Sequence, residues 1–90
     1  MKEYQVQIRI TPRPGLLDPE GQAVLHALHS LDFGEVGEVR AGRLFRLRVR
    51  AASAEAARDR AEAMCRKLLA NPVTEDYVIA LEGEPAEGGG

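Results

Sequence analysis

A single cysteine, Cys65, stands in the 90 residues, so neither a disulfide framework nor a cysteine-based zinc site is available. A lone thiol suits a reducing compartment. Aromatic side chains are scarce, two Phe and two Tyr, which leaves little for the base stacking that RNA-reading domains depend on. No apolar run approaches the ~18 consecutive residues of a membrane helix. The opening MKEYQVQIRI alternates polar and apolar residues, unlike the unbroken apolar core of a signal peptide. The net charge of −2 is too small to announce a nucleic-acid or membrane binder. A soluble cytoplasmic domain is expected, with neither nucleic acid nor membrane as partner. Catalytic signatures are missing too: the sequence holds no G-x-G-x-x-G or G-x-x-x-x-G-K-S/T phosphate loop, and no Ser-His-Asp order or carboxylate pair stands out. A chain this short buries about 60–65% of the surface it exposes when unfolded. That leaves little room for an internal active site and favours an oligomer or a partner.

What is present is a regular succession of patterns. Residues 3–10 read as a strand, with Tyr4, Val6, Ile8 and Ile10 on one face and Gln5, Gln7 and Arg9 on the other. The prolines and glycine of Thr11-Pro12-Arg13-Pro14-Gly15 predict a loop. A helix follows from about Pro19 to Leu31, with Val24, Leu28 and Leu31 on its apolar stripe and Leu25 and Ala27 at the edge. Asp18 is placed to cap it, accepting from the N–H of Glu20 or Gly21, while Pro19 fits the first helical position and Glu20 the positive end of the dipole. Gly21 lacks such a local reason. A glycine there costs ~0.5–1 kcal/mol relative to alanine, so a close approach of another chain or backbone is expected, with Gly21→Leu harming assembly more than folding.

Residues 35–41 and 43–51 read as two strands about Gly42. In the second, Phe45, Leu47, Val49 and Ala51 alternate with Leu44, Arg46, Arg48 and Arg50. In the first, Val36 and Val39 break the alternation and suggest a bulge near Gly37. Ser53 caps a helix over 54–70 whose stripe is Ala57, Ala61, Met64 and Leu68, with Cys65 beside it, and Asn71-Pro72 ends it. Residues 74–82 form a last strand, with Tyr77, Ile79 and Leu81 on one face and Val78 and Ala80 on the other. The tail has nothing to bury, so 83–90 is expected to be disordered and 1–82 to form one domain. The order is the α+β, ferredoxin-like β-α-β-β-α-β plan: an antiparallel sheet, two helices on one face, and strands 1 and 3 at the centre.

One sheet face is then left bare, and it collects Gln5, Gln7, Arg9, Arg46, Arg48, Arg50, Val78 and Ala80. With Arg40 and Arg43, five arginines fall within eleven residues. Such a row is either a solvated face partly neutralised by Glu3, Glu35 and Glu38, or a docking surface for an acidic partner or a phosphate. His26 and His29 share a helix without a third ligand at suitable spacing, so no metal is assigned to them. Cys65 falls on an apolar helix side and reads as a packed structural cysteine.

Three stretches, LDPEGQAVLHAL (17–28), VRAGRLFRL (39–47) and MCRKLLANPVTEDY (64–77), with the spacing between them, closely resemble the PurS-type small subunit of phosphoribosylformylglycinamidine synthase, over nearly the whole chain to about Glu82. The resemblance implies a ligase complex of de novo purine synthesis. It converts formylglycinamide ribonucleotide, ATP and glutamine to formylglycinamidine ribonucleotide, ADP, phosphate and glutamate. The implied large subunit binds ATP and magnesium, and a glutaminase subunit releases ammonia. The small subunit dimerises, bridges the two, and carries no catalytic residue, metal or cofactor of its own. The motif and interface candidates are Asp18, Pro19, Gly21, Arg40, Gly42, Arg43, Arg46, Arg48, Arg50, Asn71, Pro72, Glu75, Asp76 and Tyr77. Arg43 departs from the family's usual lysine and Thr74 from its usual apolar residue. The alternative on topology alone is a ferredoxin-like regulatory domain that senses a small molecule.

Overall fold

β1 (Lys2–Pro12) is the central strand of a three-stranded antiparallel sheet, with β2 (Arg43–Ala51) on one side and β3 (Glu75–Leu81) on the other. In this computed structural model residues 1–82 are described, and the expected tail, 83–90, lies outside the described residues. Val6 stands opposite Leu47 and Leu81, and Ile8 opposite Phe45 and Ile79. This register puts Val6, Ile8, Ile10, Phe45, Leu47, Tyr77, Ile79 and Leu81 on one face, and leaves Leu44, Val78 and Ala80 on the other with the arginines. Val6, Ile8 and Ile10 are buried completely or nearly so, each stabilising the fold by about 1.5–3 kcal/mol before chain entropy is counted. β1 runs past its predicted end through Thr11 and Pro12, which pair with Asp76 and Glu75. Pairing goes one step further, the Arg13 N–H donating to the Thr74 carbonyl at 2.9 Å, so Pro12 falls at the intervening step of the antiparallel ladder, where its missing N–H is not needed.

α2 (Ala54–Met64) lies across the apolar face and touches all three strands. Ser53 caps it, its hydroxyl accepting from the N–H of Ala56 at 3.1 Å. Ala57 and Ala61 are fully buried, and their small side chains allow the helix close to the sheet. The helix then widens into a π-helical turn, Cys65–Leu69, marked by the Ala70 N–H donating to the Cys65 carbonyl at 3.0 Å. The widening corrects the expected stripe. Leu68 is 82% exposed, while Leu69 is half-buried and Ala70 turns inward. Cys65 is fully buried as expected, and burial with the neighbouring Glu62 carboxylate pushes its thiol pKa up, which suits an inert packing residue.

α1 (Pro19–Ser30) behaves differently. Its one buried residue is Gly21, and it is α2, not α1, that is seated on the sheet. Val24 is 41% and Leu31 66% exposed, and Phe33 just beyond is 48% exposed. The helix ends at Leu31, followed by Asp32 in the left-handed region with φ 72°, a conformation aspartate tolerates better than most residues.

The α+β class and its antiparallel sheet stand, with two corrections of detail. Residues 35–41 carry no strand, so β2 takes an edge of the sheet and β1 alone the centre. The reason lies in where their backbone groups go. The Val36 carbonyl lies 2.7 Å from His29 Nε2, the Val39 carbonyl abuts Gly21, and the Ala41 N–H donates to Asp18. These groups are engaged by α1 and its start, and the ladder cannot also use them.

Candidate functional site

The residues singled out by sequence fall into three places. The first is the start of α1. The Asp18 carboxylate accepts from the Gly21 N–H at 3.1 Å through Oδ1 and from the Ala41 N–H at 3.0 Å through Oδ2. Pro19 occupies the first turn as expected. The Ala41 and Gly21 bonds, with a smaller contribution from the Arg40 charge, hold the Asp18 carboxyl below the usual carboxylate range against a modest opposing effect of burial. A Cβ on Gly21 would sit within 2.5 Å of the Val39 carbonyl and clash with the Asp18 carboxylate. The expected close approach therefore comes from the chain's own backbone, which corrects the expectation that Gly21 marks assembly before folding. Gly42 is held in the same way, against the Ile10 carbonyl.

The second place is the end of the sheet next to the π-helical turn. Arg43 Nη2 donates to Glu75 Oε1 at 2.8 Å and to the Leu69 carbonyl at 3.1 Å, and its guanidinium lies 5.9 Å from the Phe45 ring centroid. Glu75 Oε1 also accepts from the Asn71 N–H at 2.7 Å, and the Asn71 side chain accepts from the Val73 N–H at 3.0 Å. Arg13 closes the knot from the Pro-rich loop, donating to the Pro72 carbonyl and pairing with Asp76 at 3.5 Å. Arg43, Asn71, Pro72, Glu75 and Asp76 thus form one structural clamp. Tyr77, opposite Ile10, packs half-buried against the core. Sequence reasoning missed Arg13, because an arginine between two prolines carries no periodic signal.

The third place is the sheet face away from α2. Arg46 stands opposite Gln7, Arg48 opposite Gln5 and Arg50 opposite Glu3. Gln5, Gln7, Arg46, Arg48 and Glu82 line a shallow open groove there. The three arginines are exposed and, among the described residues, make no ion pair or side-chain hydrogen bond. The three places are separate, and no catalytic constellation joins them. Among the described residues no group of three or more His, Cys, Asp or Glu could hold a metal ion. No described helix is long and apolar enough to cross a membrane.

Fold and surface together define a small antiparallel α+β domain whose apolar first helix and arginine face are presented outward, the class of an assembly subunit. The family described as PurS, phosphoribosylformylglycinamidine (FGAM) synthase, matches residues 5–83, and the chain belongs to that family of FGAM synthase subunits of purine biosynthesis. It is 40% identical over 82 residues to the phosphoribosylformylglycinamidine synthase subunit PurS of Bacillus subtilis (strain 168), covering 88% of this chain and 93% of that one. Its fold is similar to the solved PurS of Thermus thermophilus, with a TM-score of 0.76 at 40% identity, covering 93% of this chain and 100% of that one. It is also similar to a chain of the structure of PurLQS from Thermotoga maritima, with a TM-score of 0.82 at 28% identity, covering 90% of this chain and 99% of that one.

Proposed function

We propose that the chain is the connector of the synthase: a cytoplasmic subunit that dimerises, bridges the large synthetase subunit and the glutaminase subunit, and supports ammonia transfer between them. ATP and magnesium then belong to the large subunit. The observation that carries this reading is the apolar stripe of α1, presented outward with Val24, Leu31 and Phe33 uncovered by the chain's own sheet. Exposed apolar side chains grouped along one helix and just past its end are what an association surface supplies. The apolar sheet face has room for such a helix, because Phe45, Leu47, Tyr77 and Ile79 are only partly buried beside α2. A second copy's α1 would complete the two-helix layer the ferredoxin-like plan calls for. The relative solved as PurLQS supports the larger assembly.

The decisive experiment reconstitutes the synthetase and glutaminase subunits with and without this chain. Glutamine-dependent product formation should fall sharply on omission, while the chain alone turns nothing over. Equal assembly and equal turnover without it would sink the reading.

A further inference from the structure

We propose that the arginine row of β2 docks an extended acidic segment of a partner subunit, bound across the open sheet face by Arg46, Arg48 and Arg50 with Gln5 and Gln7 beside them. The proposal rests on the assembly reading above and assigns it a surface distinct from the α1 stripe.

Successive residues on one face of a strand recur at about 7 Å. Arg46, Arg48 and Arg50 therefore present three guanidinium groups in a line, not converging on a point. All three are exposed and without an internal partner among the described residues. The cross-strand neighbours decide how much of that charge is cancelled. Arg50 faces Glu3, but Arg46 and Arg48 face the uncharged Gln7 and Gln5, and Ala80 continues the row on the far side of Gln7. Among the described residues, Glu82 at the groove rim adds a second carboxylate. Like charges lined up on one strand face repel each other, and an outside anion relieves that repulsion.

The geometry separates the occupants. A single phosphate takes convergent donors, and this groove is open and linear. A second copy brings the same arginines, and antiparallel pairing of β2 with its copy keeps even-numbered positions on one face, arginine against arginine. An RNA strand finds no aromatic ring on this face, which is made by the odd-numbered positions of β1 and the even-numbered positions of β2 and β3. An extended protein segment with Asp or Glu at alternate positions repeats at the same ~7 Å and meets each arginine in turn. The glutamines add neutral donors and acceptors for its backbone.

The test co-expresses the chain with the synthetase and glutaminase subunits and measures capture of both on a tagged copy of the chain, at low and high salt. Two variants are compared with the unsubstituted chain: Arg46→Glu/Arg48→Glu/Arg50→Glu, and the milder Arg46→Gln/Arg48→Gln should the first fail to fold. Circular dichroism and solution mass verify fold and dimer. The expected result is capture weakened about tenfold or more by either variant, with a flatter salt response, since interfacial charge sets both steering and selectivity. Capture of a well-folded variant equal to that of the unsubstituted chain overturns this proposal and leaves the assembly reading intact. No capture even by the unsubstituted chain overturns both. Arginine-dependent binding of a ribo-oligonucleotide, with subunit capture unchanged, also overturns it.

Discussion

Asp18 Oδ2 and the Ala41 N–H are joined by a 3.0 Å hydrogen bond across 23 positions of sequence. The other oxygen of the same carboxylate caps α1 through Gly21. One side chain therefore starts the helix and pins the returning chain to it. That contact explains why an aspartate, and not merely any helix cap, suits the position.

Replacing Asp18 by Asn should cost stability at neutral pH, because the Gly21 and Ala41 N–H groups meet different carboxylate oxygens, and one of them would then face the amide NH2. The folded-state pKa of Asp18 lies below its ordinary value. Its contribution is thus present above the unfolded pKa of about 4 and is lost as pH falls through the folded one. Thermal melts at pH 7 and in acid should show the gap between Asp18→Asn and the unsubstituted chain closing as the pH drops below ~4. A gap that stays constant would show that the charge contributes nothing.

Gly21→Ala should destabilise the chain, reversing the usual sign for a helix. Alanine is ordinarily favoured over glycine in a helix by about 1 kcal/mol. Here the new Cβ meets the Val39 carbonyl within 2.5 Å, and relieving such an overlap costs typically ~1–3 kcal/mol. Denaturant titration should place Gly21→Ala below the unsubstituted chain, while Ala23→Gly two residues on, exposed and free of such contact, pays only the ordinary helix penalty. Stabilisation by Gly21→Ala would mean that Val39 moves away freely.

How much was legible in the sequence follows from how each segment is held. β1, β2 and β3 were legible because their partners are strands and the period-two pattern faces one core. The caps Asp18 and Ser53 were legible because capping is local. Residues 35–41 were not, because their backbone answers to His29, Gly21 and Asp18, partners that no period reveals. Leu68 was misplaced because a single π-helical turn shifts the phase of a stripe without leaving a mark in composition. The arginine row was legible as a face, whereas the clamp around Arg43 and Glu75 joins positions 32 apart and had to be seen.

Arg43 and Glu75 should couple weakly but measurably. Their side chains are 51% and 22% exposed, and pairs of that kind contribute about 0.2–1 kcal/mol in double-mutant cycles. Arg43→Lys keeps the charge but replaces the planar guanidinium, whose Nη2 donates to both Glu75 and the Leu69 carbonyl, with a compact ammonium on a different reach. It should therefore recover only part of what Arg43→Ala loses. A cycle of Arg43→Ala with Glu75→Gln that shows no coupling would reduce the clamp to a coincidence of two flexible side chains.

The exposed stripe of α1 yields the sharpest separation between folding and association. Val24 and Leu31 are 41% and 66% exposed in the chain, so Val24→Glu/Leu31→Glu should change the folding of a single copy by no more than ~0.5 kcal/mol per site. If a second copy covers the stripe, the same carboxylates must be stripped of water at an apolar interface without a counter-charge, which costs several kcal/mol and dissociates the pair. Light scattering should then report the mass of one chain for the variant and of two for the unsubstituted protein. The melting temperature should rise with concentration for the unsubstituted protein alone, because dimerisation stabilises by mass action. A variant that remains dimeric, with its concentration dependence intact, would move the interface off α1. It would also leave the uncovered leucine and valine without a role.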